Sequence, residues 1–268
     1  MEAPDIKILM VWDQGINEVL TRYLKPLGIN CVTVHKAEYD PYNYSPEAKR
    51  YPVRWSKKLF IMDILKEAIT SDIIHVHSCD ELIPYLKILH KPILMHYHGS
   101  DIRDRWEERK KYWIRVDRIL VSTRNLLEGA PENTINQPNP VDTEIFKKID
   151  SIIPMTKALH FDYGAVDLAE KIAKDHGLEL DVREKGIPRA EMPTLLNRYL
   201  YYIDVKRDYS GRLLVGKPND TGSLLGLEAL ACGLTVLNLS GERRGLPPEH
   251  QPVAVANKLY EIYEELVK

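Results

Sequence analysis

The chain has 268 residues, 37 basic against 39 acidic side chains, 44% hydrophobic and 28% charged. That composition excludes collagen-like and disordered classes, and a net charge of −2 supplies no field to gather nucleic acid or an anionic membrane. No apolar run approaches the roughly 20 residues of a transmembrane helix, and no basic flank with a long apolar core marks a signal peptide. Cys31, Cys79 and Cys232 form no CxxC pair and read as reduced thiols of a cytoplasmic protein.

In chain order, apolar runs at 6–11, 31–34, 73–77, 92–96 and 119–122 alternate with helical-period segments at 17–27, 57–69 and 82–89. Short strands followed by amphipathic helices predict βαβ units, a parallel sheet with helices on both faces and ligands at the carboxyl ends of its strands. The long connection holding Tyr39, Tyr42, Tyr44, Tyr51 and Trp55 reads as part of an acceptor site or as a proline-stiffened surface loop. Residues 103–115, dense in charge around Trp106 and Trp113, read as a solvated helix, with acceptor or peripheral membrane contact the other reading. A linker is expected at 147–154. A second series then follows: strands at 158–161, 180–183, 200–204 and 235–239, helices at 165–176, 190–196 and 224–232, and a terminal amphipathic helix at 253–267. The expected domains are 1–148 and 157–250, with 251–268 a terminal helix. Two α/β halves on a short linker predict a ligand cleft between them.

The stretch from Asp220 to Gly233 carries the most chemistry. Gly222, Ser223 and Leu224 stand where a helix begins, so their amides and the helix dipole suit a phosphate. The same residues also suit a plain cap, with Ser223 or Thr221 as N-cap and Gly233 as the stop. Asp220 and Glu228 would then accept hydrogen bonds from sugar hydroxyls.

Asp220, seven residues, Glu228, then Ala229-Leu-Ala-Cys-Gly233 and a strand resemble the retaining GT-B glycosyltransferases of the group 1, or family four, type. That family has a Glu, seven residues and a second Glu before an Ala-rich helix; here Asp220 takes the first place. Two more pieces match in order. His75-Val-His77 precedes a strand ending His98-Gly99-Ser100-Asp101, and Pro138-Asn139-Pro140-Val141-Asp142 runs to Phe146, with Pro140 where the family has Gly. Gly15 stands after the first strand, where the family often has two glycines.

The resemblance implies two Rossmann-like, doubly wound parallel-sheet domains facing across a cleft, with the terminal helix returning to the first. It implies transfer of a sugar from a nucleoside-diphosphate sugar to a glycan, lipid or small-molecule acceptor, with retention and without a protein nucleophile. Asp220 would meet the sugar, His98 the reacting side, and Glu228 the ribose, while Gly15 and Gly99 allow close approach of the donor or acceptor. The Gly222 to Leu225 backbone would hold the diphosphate. The family's Arg and Lys after the first strand of the second domain are missing, since that loop reads Phe161-Asp-Tyr163-Gly-Ala165. Lys206, Arg207, Arg212 and Lys217 are the nearest replacements. No metal is required where amides and basic side chains stabilise the phosphates. Two other readings stand beside this one: a degenerate GT-B protein that binds nucleotide or glycan without turnover, and a metal-dependent hydrolase built on His75, His77, Cys79, His96 and His98, whose histidines read first as buried rings bonded to backbone groups.

Overall fold

Apolar residues at both parities of the run Ile6–Val11 leave it no solvent face, and as β1 it is an interior strand of a seven-stranded sheet. Around it stand β2 (Ile29–Lys36), β3 (Lys49–Tyr51), β4 (Ile73–His77), β5 (Ile93–Tyr97), β6 (Arg118–Val121) and β7 (Thr134–Asn136). The order is β3-β2-β1-β4-β5-β6-β7 with every pair parallel, the doubly wound arrangement in which the chain reverses direction of travel beside β1. The coordinates are a computed structural model that describes residues 5–12, 15–36, 48–51, 56–208, 210–216 and 222–268. The chain divides into one unit of residues 1–140 with 252–268 and a second of 141–251.

In the first unit the helices are α1 (Asn17–Leu24), α2 (Lys57–Ile69), α3 (Ile83–Leu86) and α4 (Trp106–Trp113). Pro26 and Pro84 break the longer helices expected at 17–27 and 82–89, which end or begin in 3-10 turns. Strand alternation sends Ile74, Val76, Met95 and Tyr97 into a core with Phe60 and Ile64 of α2. Each such buried side chain contributes about 1.5–3 kcal/mol.

The second unit holds β8 (Met155–Phe161), α5 (Val166–Asp175), β9 (Glu179–Arg183), α6 (Met192–Leu196), β10 (Tyr199–Ile203), β11 (Lys206–Arg207), β12 (Leu213–Val215), α7 (Leu224–Ala231), β13 (Thr235–Asn238) and β14 (Gly241–Arg243). Its sheet runs β14-β13-β10-β8-β9, parallel except for the hairpin strand β14, while β11 and β12 form a separate ribbon. Gly233, at φ 88°, closes α7: its amide donates to the Leu230 carbonyl and that of Leu234 to Ala229, both at 3.0 Å, a Schellman stop that a side chain would strain. Val141 and Phe146 belong to the core of this unit, packed with Leu159, Leu227 and Leu230, so the seam falls before them, earlier than the charged 147–154 stretch suggests.

The last helix, α8 (Pro252–Val267), buries Val255, Leu259, Ile262 and Tyr263 and packs on α1 and β4 of the first unit. Among the described residues no helix is long and apolar enough to cross a membrane.

Candidate functional site

Ser223 is the N-cap of α7, with extended backbone and its Oγ accepting the Gly226 amide at 2.9 Å. Asp204, buried just past the end of β10, doubles this cap by accepting the Ser223 amide at 2.8 Å and the Ser223 hydroxyl at 2.7 Å. A Cβ on Gly226 would stand 2.8 Å from Asp204 Cγ, so Gly226 is what lets the carboxylate approach. The expectation that the Ser223 amide meets a phosphate is therefore corrected: a carboxylate from the same unit takes that hydrogen bond. Among the described residues the amides of Leu224 and Leu225, in the half-exposed first turn, have no acceptor. Gly222 has φ 88°, and a Cβ there would lie 3.2 Å from Arg243 Nη1, which puts a guanidinium beside the start of α7.

The carboxyl ends of three neighbouring strands converge on Tyr163. Lys185, after β9, and Lys206, after β10, place their ammonium nitrogens 4.8 and 4.9 Å from the Tyr163 ring centroid. Arg207 donates its amide to the Tyr163 carbonyl at 3.1 Å and turns its guanidinium to Asp167 at 2.7 Å. Tyr202, buried below, has its phenol held well above the ordinary range by burial and then by Asp204, Tyr163 and Glu228, and it is hydrogen-bonded to Ser223. Tyr163 and Lys206 thus stand past the carboxyl ends of β8 and β10, and Ser223 reaches the end of β10 through Asp204.

Glu228 is buried and receives Arg189 Nη1 at 2.8 Å, while Arg189 lies 4.8 Å over the Phe146 ring. Burial raises the Glu228 pKa, Arg189 opposes that, and Asp142 adds to it. The ribose partner expected at 228 is thus an ion-paired side chain with one oxygen already engaged. Asp220, Thr221 and Lys217 lie outside the described residues, as do Tyr39, Tyr42, Tyr44 and Trp55; Tyr51 is in β3 with its ring edge-on to Phe60 at 5.5 Å.

In the first unit, Trp12, Lys36, Phe60, Ser78 and Glu81 line a pocket of about 320 Å3 past the carboxyl ends of β1, β2 and β4. Trp12 (φ 71°) and Ser78 (φ 58°) hold left-handed backbone that side chains disfavour, a strain that commonly marks a site. The turn at Ser78 also ends the alternation of β4. Cys79 consequently packs with the Phe60 core, away from His75 and His77, and does not join the imidazoles as the sequence pattern implied.

Gly15 (φ 77°) makes the turn into α1. His98 closes a tight turn in which Asp101 accepts the amides of His98 at 2.9 Å and Gly99 at 2.7 Å, so the Gly99 amide serves the turn. The His98 ring reaches His77 Nδ1 with Nε2 (2.9 Å) and Asn139 Oδ1 with Nδ1 (3.1 Å), and burial brings its pKa down to about 4. Both nitrogens are engaged within the unit, so His98 is a neutral positioning group and not the substrate-facing one the sequence implied.

Sequence reasoning missed Asp204, Lys185, Arg189 and Arg243. Three of them follow strand ends or lie in the hairpin strand β14, whose three residues carry no periodic signal.

No protein-family model and no curated protein matches the chain. Solved structures with a similar course of chain include MurG of Acinetobacter baumannii, at 11% identity and TM-score 0.46 over 97% of this chain and 84% of that one. A Streptomyces sp. SF2575 glycosyltransferase, SsfS6, has 11% identity and TM-score 0.43 over 98% and 92%. Phytolacca americana UGT2, solved with UDP-2fluoro-glucose and pterostilbene, has 10% identity and TM-score 0.46 over 100% and 94%.

Proposed function

We propose that the chain is a glycosyltransferase that moves a sugar from a nucleoside-diphosphate sugar to an acceptor hydroxyl with retention of configuration, its second unit holding the donor. The observation that carries this reading is the pair of ammonium groups, Lys185 and Lys206, on the Tyr163 ring past the strand ends, with Arg243 of β14 and the Asp204 carboxylate beside the start of α7. A departing diphosphate gains negative charge, and each prearranged donor aimed at such charge is worth about 2.7–4 kcal/mol in the barrier. Lysine ammoniums, one guanidinium and the Leu224 and Leu225 amides supply donors of that kind without a metal ion. They stand in for the Arg and Lys missing after β8. Asp204 repels the diphosphate and so keeps it to the outer amides of the turn.

Glu228, oriented by Arg189, accepts from the ribose through its second oxygen, and Asp220 meets the sugar. The first unit's pocket suits a glycan, lipid or small-molecule acceptor, since Trp12 and Phe60 offer apolar ring surface and Lys36 and Glu81 hydrogen bonds. With His98 neutral and engaged, attack on the same face as the leaving group needs no protein nucleophile.

Calorimetry with UDP, GDP and ADP, followed by release of sugar from the matching donor, tests this. One nucleotide should bind, and Lys206→Ala should slow sugar release by about 10²-fold or more with little change in melting temperature. A folded protein that binds none of the three ends the proposal; binding without release points to the degenerate form.

A further inference from the structure

We infer that His75, His77 and His96 form a buried binding site for one divalent ion of borderline softness, with zinc as the type case. The three rings lie on one face of β4 and β5, where His77 and His96 are register partners and His75 stands two residues before His77. All are at most 1% exposed. One ring nitrogen from each lies within 4.8 Å of one from each of the others, and each ring keeps one buried nitrogen with no hydrogen-bond partner among the described residues.

In two of the rings the other nitrogen fixes the proton position. Asn139 Oδ1 can only accept, so His98 carries its proton on Nδ1 and accepts at Nε2. His77 must then donate from Nδ1, which leaves its Nε2 a bare lone pair. The Gln137 carbonyl likewise takes the Nε2 proton of His96 at 3.2 Å, which leaves Nδ1 of that ring bare. His75 meets the Tyr263 hydroxyl at 2.7 Å with Nδ1, a contact in which either group can donate; with the proton on Nδ1, its Nε2 is the third nitrogen without a partner.

Bare lone pairs crowded in a dry interior repel one another, and a buried nitrogen without a partner is costly. A cation answers all three at once. Zinc–imidazole bonds of about 2.0–2.1 Å in a tetrahedron put the nitrogens about 3.4 Å apart, so the three stacked rings must close up from the 4.8 Å within which they lie. Imidazole-only ligation suits zinc, copper or nickel over magnesium or calcium. The other nitrogen of each ring is already held, by His98 for His77, by Tyr263 for His75 and, for His96, by the Gln137 backbone carbonyl, a partner of the kind metal-bound histidines use. Tyr263 belongs to α8, and the Gln137 side chain donates to Val255 of that helix at 3.2 Å, so the ion would fasten α8 to β4 and β5. Cys79 is no ligand: it lies with the opposite core and burial pushes its thiol up to about 12. Full burial gives a substrate no route to the ion, which makes it a structural tie and leaves the hydrolase reading without support.

The whole chain, stripped with a chelator and dialysed against equimolar zinc sulfate, should retain one zinc per chain and melt at a higher temperature. Its zinc-edge X-ray absorption should show three imidazole nitrogens at about 2.0–2.1 Å. His77→Gln should abolish retention, His98→Phe should weaken affinity about 10–100-fold through the lost outer partner, and His176→Gln, at an exposed position, should change nothing. Should His77→Gln fail to fold, the absorption spectrum of the unaltered chain and the His98→Phe affinity still decide. No zinc retained by the folded chain, or a nitrogen shell that the histidine variants leave intact, overturns the inference.

Discussion

The two sheets keep their polar groups in different places along the strand. In the first unit His75, His77 and His96 stand within β4 and β5, far from water, and burial lowers the pKa of each well below 6.5. In the second, Lys185, Lys206 and Arg207 follow the strand ends, where water reaches them. The contrast teaches that depth along a strand decides what a polar group needs: mid-strand it must be neutral and bonded to fixed partners, and past the carboxyl end water can serve it. His160 obeys the same rule within the second unit, being buried in β8, bonded to the Ile203 carbonyl at 3.0 Å, and lowered in pKa by burial.

The largest expected effect tests the exception, a carboxylate that is buried yet ion-paired. Glu228→Ala removes the partner of Arg189 and should destabilise the protein by about 3 kcal/mol, read as a lower urea midpoint. An unchanged midpoint would mean that Arg189 finds water as good a partner, and the edge of the second sheet would be wetter than its burial indicates. Next in size is Gly226→Ala. Its Cβ would drive into Asp204, which two hydrogen bonds to Ser223 hold still, for a loss of about 1–3 kcal/mol. Pairing it with Asp204→Asn should not restore the loss, because the clash is steric.

How much of this was legible depends on the range of the interaction. Both parallel sheets, α7 and the helix at the carboxyl terminus follow from local periodicity, and the cap at Ser223 was one of two readings its neighbours allowed. Asp204, Arg189 and Arg243 were not legible as partners of that turn and of Glu228. They meet across 19 to 39 residues of sequence, and no local pattern encodes such pairings. The orientation of His98 was hidden for the same reason, since Asn139 lies 41 residues on. Breaks in pattern were equally invisible: the left-handed backbone at Ser78, unusual for a serine, is what moves Cys79 to the other face.

A smaller effect concerns His160. Its folded pKa lies below 6.5, so between those values the unfolded chain takes up a proton that the folded chain does not. This part of the stability is complete above pH 6.5 and fades as the pH falls. His160→Gln should flatten the acid limb of the pH–stability curve, and an identical limb in the variant would assign it to other groups.

The smallest effect distinguishes adjacent residues on β11. Arg207 faces Asp167 in a solvent-exposed pair, and such pairs contribute little because water screens them. Arg207→Ala should therefore leave the melting temperature where it is and, with the guanidinium already turned to a carboxylate, should barely alter nucleotide affinity. Lys206, one residue earlier and lying over Tyr163, should account for most of the loss when both are removed. If the Arg207 variant instead loses affinity as Lys206→Ala does, the guanidinium leaves Asp167 for the phosphates, and the donor site extends along β11 past the lysine.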